Sequence, residues 1–252
     1  MSEEPVVRLR AVSFGYGPGR PALDRVDFEV AKGDYVAVIG PNGGGKTTLL
    51  KVILGLRKPW SGSVEVFGGP PGKARSRIGY VPQWTGLNLD FPVTALDVVM
   101  MGLPPGLRGA AGRRCALASM EELGVASLAS NHAGSLSGGQ RQKIFVARAL
   151  AGSPELLLLD EPAASVDQAG QGGLYELLER LSATITIILV THDVGAVAGS
   201  VRSIACLNGR LVSHAETLGT EALWKAYGCP VDPISHGTPH RVLGTHGGGC
   251  DA

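Results

Sequence analysis

The sequence predicts an α/β fold with a parallel core, on three observations. Short apolar segments of strand length alternate with segments of helical periodicity in the first and last thirds of the chain. Two of these segments, Tyr35–Ile39 and Leu156–Leu159, are almost entirely apolar, as is typical of strands buried on both faces of a sheet. Between about residues 92 and 150 helical patterns replace the strands, so a helical insert interrupts the alternation.

The first third of the chain is predicted to contain four strands and one helix. Gly, Pro and Asp punctuate the strands, which are Val6–Val12, Val26–Val30, Tyr35–Ile39 and Ser63–Phe67. The helix is predicted over Lys46–Leu56, where apolar residues recur at helical spacing.

The remainder of the chain is predicted to begin with helices and to return to strands. Thr94 is the expected N-cap of a helix, because Asp97 follows three residues later. Residues 103–114 have the composition of a loop. Further elements are a helix at Arg141–Leu150, strands at Leu156–Leu159 and Ile185–Val190, a helix around Gly172–Leu181, and a loosely ordered tail from Pro230.

Composition excludes several classes of protein. The 23 Lys and Arg balance 22 Asp and Glu, for a formal net charge of +1 in 252 residues, which argues against nucleic-acid binding by bulk positive charge. No secretory signal peptide and no apolar run of membrane-spanning length is visible. The 4 Cys are widely spaced. A reduced cytoplasmic protein is therefore expected, and 37 Gly residues need an explanation within a folded domain.

The glycine-rich segment Gly40–Thr48 fits the pattern G-x-x-x-x-G-K-[ST] between a predicted strand and a predicted helix. Such a loop points successive backbone N–H groups inward as an anion nest, and the helix N-terminus adds partial positive charge. Lys46 is expected to reach the β- and γ-phosphates of a nucleotide, and the Thr47 hydroxyl to bind Mg²⁺. The alternative is a chance match in a glycine-rich chain.

Two adjacent acids, Asp160 and Glu161, follow the apolar strand Leu156–Leu159. Neighbours along a strand point to opposite sides, so the two carboxylates can take different roles. Asp160 is expected to hold Mg²⁺ and Glu161 to polarise an attacking water molecule. Taken alone, the pair is equally compatible with a solvated strand end.

The segment Ser135–Gln140 places a serine and two glycines before a predicted helix, which indicates a second anion site or an ordinary capped helix start. In combination with Gly40–Thr48 and Leu158–Pro162, the LSGGQ sequence at Leu136–Gln140 resembles the signature motif of the ATP-binding subunits of ABC transporters. The resemblance extends over nearly the whole chain.

That resemblance implies a P-loop NTPase core with a mostly parallel sheet, an N-terminal antiparallel β portion and an inserted helical subdomain. The implied division is residues 1–84 and 153–229 for the two parts of the ATP-binding core, 85–152 for the helical subdomain, and 230–252 for a Gly/His-rich tail. One departure concerns Ala164–Asp167, which reads Ala-Ser-Val-Asp where the family usually has Ser-Ala-Leu-Asp.

The resemblance also implies roles for single residues. Tyr16 would stack on adenine, Gln83 would link the metal site to the helical insert, and His192 would contact the γ-phosphate. The expected nucleotide-binding residues are Tyr16, Gly40, Pro41, Asn42, Gly43, Gly44, Gly45, Lys46, Thr47, Thr48, Ser137, Gly138, Gly139, Gln140 and Asp167. The expected catalytic residues are Lys46, Gln83, Glu161 and His192, and the expected Mg²⁺ ligands are Thr47, Gln83 and Asp160. A lone Tyr, Gln or His at such positions is more often structural.

The implied mechanism is a homodimer in which each ATP lies between one chain's phosphate loop and its partner's Ser137–Gly139. The permease would be a separate integral membrane polypeptide, served indirectly by an extracytoplasmic metal-binding protein, and the ATPase would lie on the cytoplasmic face of the inner membrane. Phe91–Gly102 is expected either to dock the permease or to be ordinary helix core.

Three segments are most similar to importers of zinc or manganese: Gly43–Thr48, Phe91–Gly102 and Cys206–His214. Import of a siderophore or another nutrient remains an alternative, followed by a non-transport ABC ATPase and a small-molecule P-loop kinase or GTPase. The tail carries His236, His240, His246 and Cys250, which indicate either a regulatory metal site or a solvated tail.

Overall fold

The computed structural model of the protein describes residues 4–83, 92–164, 168–193 and 200–215, with the backbone alone described over 168–170. The strands are β1 Val7–Phe14, β2 Leu23–Val30, β3 Tyr35–Ile39, β4 Ser61–Val66, β5 Ile78–Val81, β6 Leu156–Asp160, β7 Thr186–Val190, β8 Ser203–Asn208 and β9 Arg210–Ala215. The helices are α1 Lys46–Ile53, α2 Pro71–Ala74, α3 Ala95–Met100, α4 Gly109–Glu122, α5 Gly138–Leu150 and α6 Gln168–Ser182. Short 3₁₀ turns lie at Arg75–Arg77, Ala126–Leu128 and Ala133–Ser135.

Two sheets form the scaffold. A three-stranded antiparallel sheet has the order β2-β1-β4, and a six-stranded sheet has the order β5-β6-β7-β3-β8-β9. The strands of the larger sheet are parallel except for β9, which pairs antiparallel with β8. The predicted α/β class with a mostly parallel sheet and an N-terminal antiparallel β portion is therefore confirmed.

The central strands of the larger sheet are buried on both faces, and their side chains alternate between two hydrophobic cores. In β6, Leu157 and Leu159 pack with helices α3 to α6, whereas Leu156 and Leu158 pack with α1 and the smaller sheet. All five residues of β6 are buried, as are those of β3 and β7. This two-sided burial is the reason that these strands are apolar runs rather than alternating sequences.

The helices α3, α4 and α5 are inserted between β5 and β6. Helix α3 begins with a capping box, in which the Thr94 hydroxyl accepts from the Asp97 backbone N–H and the Asp97 carboxylate accepts from the Thr94 N–H. The predicted N-cap at Thr94 is therefore correct. No helix among the described residues is long and apolar enough to span a membrane.

Several predicted boundaries were wrong. Residues 103–114 are not a loop throughout, because α4 begins at Gly109. Two glycines in α4 give the segment a loop-like composition, but one face of the helix is buried through Ala116 and Met120. Helix α1 ends at Ile53 rather than Leu56, since Gly55 takes a left-handed φ of 64°. Strands β5, β8 and β9 were missed. Asp167, the segment 84–91 and the tail from Pro230 lie outside the described residues.

Candidate functional site

The loop Gly40–Gly45 connects the carboxyl end of β3 to the first residue of α1. Gly40, Gly43 and Gly45 have φ values of 153°, 77° and 95°, which side chains with a Cβ rarely adopt. A Cβ on Gly40 would lie 1.9 Å from the Leu207 carbonyl oxygen, and one on Gly45 would lie 2.4 Å from the Ala22 carbonyl oxygen. The glycines are therefore required by the path of the loop and by the backbone packed behind it.

The turn between β8 and β9 supports the loop from behind, and sequence analysis did not identify it. Gly209 donates its N–H to the Gly44 carbonyl at 2.9 Å and accepts from the Asp24 N–H at 2.7 Å. Arg210 forms an ion pair with Asp24, with Nε and Oδ2 2.7 Å apart. The Asn208–Gly209 dipeptide, a common hairpin turn, was the available signal.

Lys46 is the first residue of α1 and is almost completely buried, with 6% of its surface exposed. Its ammonium group donates to the carbonyl oxygens of Gly40 at 2.8 Å and Pro41 at 3.0 Å. Burial lowers the pKa of Lys46, opposed by the nearby charges of Glu161 and Asp160. The loop thus encloses a preorganised cation at a helix N-terminus, which is an anion-binding arrangement.

Thr47 and Asp160 meet at the carboxyl edge of the sheet. The Thr47 hydroxyl donates to Asp160 Oδ1 at 3.1 Å, and Asp160 is 1% exposed. Burial raises the pKa of the Asp160 carboxyl, opposed by the Thr47 hydrogen bond. Hydroxyl and carboxylate oxygens are the donors that Mg²⁺ prefers, so this pair fits a magnesium site completed by phosphate oxygens.

Glu161 lies one residue beyond β6, where the chain turns. Its φ is 48°, in the left-handed region, and its N–H donates to the Val190 carbonyl at 2.9 Å. The strand-alternation argument therefore extends only to Asp160. The two carboxylates are separated because the chain turns at Glu161, and not because neighbouring residues alternate along the strand.

The Glu161 carboxylate is where the predicted catalytic residues converge. Its Oε2 lies 2.9 Å from His192 Nδ1 and 3.5 Å from Gln83 Nε2, and its Oε1 lies 4.0 Å from Lys46 Nζ. The Glu161 side chain is 11% exposed and that of His192 is 57% exposed. The fold thus gathers residues from three strand ends and the first residue of α1 around one largely buried carboxylate.

Tyr16 lies beside the N-terminal turn of α1. Its hydroxyl is 3.2 Å from the Thr48 hydroxyl, and its ring meets that of Phe14 edge to face with centroids 5.2 Å apart. The Arg57 guanidinium lies 5.7 Å from the ring centroid, and Tyr16 as a whole is 60% exposed. A largely exposed aromatic side chain therefore lies beside the start of α1.

Ser137 and Gln140 are exposed and hydrogen-bond to each other. The Ser137 side chain accepts from the Gln140 N–H at 3.3 Å, and the Gln140 side chain accepts from the Ser137 N–H at 3.0 Å. This capping box begins α5. Asp167, the other residue predicted to act across a dimer, lies outside the described residues.

An anion-binding glycine loop, a buried lysine at a helix start and an acidic strand end opposite a histidine define a P-loop nucleotide-hydrolysing protein. A family model described as ABC transporter matches residues 23–164. The chain belongs to the ABC transporter family, as an ATP-binding subunit with ATPase activity. Domains of this family bind ATP, dimerise and pair with membrane permeases.

Curated relatives resemble the chain over most of its length. It is 39% identical over 221 residues to the zinc transport system ATP-binding protein TroB of Treponema pallidum (strain Nichols), covering 83% of this chain and 82% of that one. It is 37% identical over 216 residues to the manganese transport system ATP-binding protein MntB of Listeria innocua, covering 82% and 90%.

Solved structures agree on the fold. An inward-facing conformation of a proposed metal-chelate type ABC transporter is 30% identical with a TM-score of 0.79, covering 90% of each chain. A dimeric post-hydrolysis ATP-binding cassette bound to ADP and Pi is 29% identical with a TM-score of 0.73, covering 84% of this chain and 99% of that one.

Proposed function

We propose that this chain powers an importer of a divalent transition metal, zinc or manganese, by hydrolysing ATP beneath a separate integral membrane permease. The convergence of Lys46, Gln83 and His192 on the Glu161 carboxylate carries the enzymatic part of the proposal. The cargo is supported by the printed functions of the zinc and manganese relatives.

Phosphate binding falls to the loop and to Lys46. When the polyphosphate enters, the Lys46 ammonium exchanges its bonds to the Gly40 and Pro41 carbonyls for phosphate oxygens, close to its present position. The ammonium is a charged donor in both cases, and the phosphate oxygens add the attraction of opposite charges. The α1 N-terminus adds its partial positive charge. Tyr16 offers its exposed ring to adenine.

Magnesium would be held by Thr47 and Asp160, with Gln83 as a further ligand. The ion would neutralise charge on the β- and γ-phosphate oxygens. The 3.1 Å contact between the Thr47 hydroxyl and the Asp160 carboxylate supports this assignment, because both oxygens already face one another. Asp160 is buried with a raised pKa, so a cation would also offset the unfavourable burial of its charge.

Hydrolysis falls to Glu161, which we propose orients and deprotonates the attacking water molecule. His192 and Gln83 hold the carboxylate in place, since both contact its Oε2 atom. His192 is more than half exposed, so its ring can turn toward a γ-phosphate. Because His192 also contacts Glu161, a His192 ring that binds the γ-phosphate would change the position of the Glu161 carboxylate.

The second half of each site comes from a partner copy. Ser137, Gly138, Gly139 and Gln140 start α5 with an exposed helix N-terminus, and we propose that they bind the γ-phosphate held by the partner's phosphate loop. Asp167 is proposed to act across the same interface. ATP then stabilises the dimer, and the two chains separate when hydrolysis removes the γ-phosphate.

The remaining assignments complete the transporter. Residues 1–84 and 153–229 are proposed as the ATP-binding core, 85–152 as the helical subdomain and 230–252 as the tail. The insertion of α3, α4 and α5 between β5 and β6 supports that division. We place the subunit peripherally on the cytoplasmic face of the inner membrane, with an extracytoplasmic metal-binding protein as an indirect partner. Nucleic acid is not a proposed partner.

A metal-chelate or siderophore cargo is the second candidate, favoured by the 30% identity to the metal-chelate type transporter. The two candidates are distinguished by measuring how much zinc, manganese and chelated iron cells accumulate. The cells produce the complete transporter with either the wild-type chain or Glu161→Gln. The proposed cargo would be contradicted if the wild-type chain supported accumulation of chelated iron but not of zinc or manganese, and Glu161→Gln abolished it.

Dimerisation tests the mechanism. We expect Glu161→Gln with ATP to be dimeric by light scattering, because the nucleotide is bound but not consumed, and to be monomeric with ADP. A Glu161→Gln chain that stays monomeric with ATP, both alone and with its permease, would contradict the shared-site mechanism.

A further inference from the structure

Two large aromatic side chains beside the carboxyl end of β1 are exposed, and only Tyr16 is among the proposed nucleotide-binding residues. Tyr16 is 60% exposed and Trp60 is 54% exposed. Both lie against the buried ring of Phe14, with ring centroids 5.2 Å and 6.1 Å away respectively. We call these three rings, Phe14, Tyr16 and Trp60, the aromatic ledge.

Trp60 is held firmly in the ledge. The Trp60 backbone N–H donates to the Ser13 carbonyl at 2.8 Å, where the start of β4 pairs with β1. A Cβ on Gly15 would lie 2.4 Å from the Trp60 ring, so the indole rests directly on the Gly15 backbone. A ring fixed in this way loses little conformational entropy when a ligand stacks on it.

The ledge begins at the anion-binding end of α1. The Tyr16 hydroxyl reaches the Thr48 hydroxyl at 3.2 Å, and the Arg57 guanidinium lies 5.7 Å from the Tyr16 ring centroid. Thr48 follows directly after the residues proposed to bind phosphate and Mg²⁺. Tyr16, the proposed adenine contact, therefore belongs to a surface of more than one ring.

We propose that Trp60 is a second contact for the nucleotide base beside Tyr16. This inference rests on the proposed ATP-binding function and extends it to a residue that sequence analysis did not select. The contact is π-stacking and apolar burial, which tolerate any purine because every base has a flat π-face.

The test compares MgADP with inorganic pyrophosphate, which has no base, by titration calorimetry on the full chain. We expect Trp60→Ala to weaken MgADP binding roughly tenfold, the scale of one base–aromatic stack, and to leave pyrophosphate binding within about twofold. Trp60→Phe keeps a ring and should retain affinity within about threefold. Leu56→Ala is the matched control, because Leu56 is 52% exposed and outside the ledge.

Direct contact is separated from support of Tyr16 by repeating Trp60→Ala in a Tyr16→Ala background. The loss should persist there, because Trp60 touches the base itself. Unchanged MgADP affinity, an equal loss of pyrophosphate affinity, or a loss that vanishes with Tyr16 would each overturn the inference. A wild-type chain that binds neither ligand would instead contradict the proposed function.

Discussion

The phosphate loop and the Ser137–Gln140 segment both lead into a helix and are both proposed to bind phosphate, but they differ in how much of the binding site each one supplies. The loop is backed by the β8–β9 turn and encloses Lys46, which is 6% exposed. Ser137 and Gln140 are exposed and satisfy only each other. The loop therefore surrounds its cation with groups from a single chain, whereas the Ser137–Gln140 segment is an exposed capped helix end.

The largest expected effect lies at the carboxylate between the loop and the histidine. Glu161→Gln should lower the rate of phosphate release from ATP by about 10²–10⁴-fold, because it removes the general base. MgADP affinity should stay within about twofold. The matched control is Glu176→Gln, an exposed glutamate of α6, which should hydrolyse ATP at the wild-type rate.

The phosphate loop should lose its function when its cation is removed. Lys46→Ala is expected to weaken MgADP binding by about 10–100-fold, the equivalent of one charge-assisted hydrogen-bonded contact. Lys73→Ala, at an exposed lysine of α2, should bind normally in the same titration. Equal losses in the two variants would mean that general surface charge, rather than the loop, holds the nucleotide.

The Ser137 segment should behave in the opposite way. Ser137→Ala removes a helix cap at a cost of about 1 kcal/mol in the free energy of unfolding, yet should leave MgADP binding to one chain unchanged. In the Glu161→Gln background it should weaken ATP-dependent dimerisation at least tenfold by light scattering.

Thr94→Ala provides the matched control for that change. It removes the same kind of cap from α3, so urea unfolding should show a similar loss of stability. Its ATP-dependent dimerisation should remain intact. Loss of the dimer in both variants would show that cap stability, not Ser137 itself, was responsible.

The smallest expected effect is a difference between the two capping boxes in how their contribution to the free energy of unfolding depends on pH. The hydrogen bonds from the Thr94 hydroxyl and N–H lower the pKa of Asp97 below its usual value. Stability from that carboxylate is present above the unfolded pKa and is lost as pH falls through the lower folded pKa. The difference in free energy of unfolding between wild type and Asp97→Asn should therefore shrink below about pH 4.

Gln140 occupies the corresponding position in the second box and does not titrate in this range. The stability difference between wild type and Gln140→Ala should be constant over the same urea series. A pH-dependent difference at Gln140, or none at Asp97, would contradict the assignment of the charge-dependent cap.

Much of the site was predictable because its chemistry is local. The spacing of Gly40, Gly45 and Lys46 specifies a loop between a strand and a helix, and the observed elements agree. The Thr94 cap was likewise predictable from a residue three positions later. The start of α4 was missed because Gly109 and Gly112 are typical of a loop. In the structure the helix is stabilised by burial of one of its faces.

Contacts between distant segments were not predictable from residue patterns. Nothing in the local sequence around Gly209 indicates that its N–H supports Gly44, or that Trp60 lies on Gly15. Such contacts depend on strand order, in which β8 lies beside β3 and β4 beside β1. Pairing order is a property of the whole sheet.

The sequence by itself determined the α/β class, the phosphate loop and the identity of the two acids, because each depends on residue types at fixed short spacing. Tertiary structure decided which groups meet. It turns Glu161 out of the strand at a φ of 48° and places it 2.9 Å from His192. The physical reason is that a carboxylate's role depends on burial and on its neighbours, and both are set only when parallel strands align their carboxyl ends.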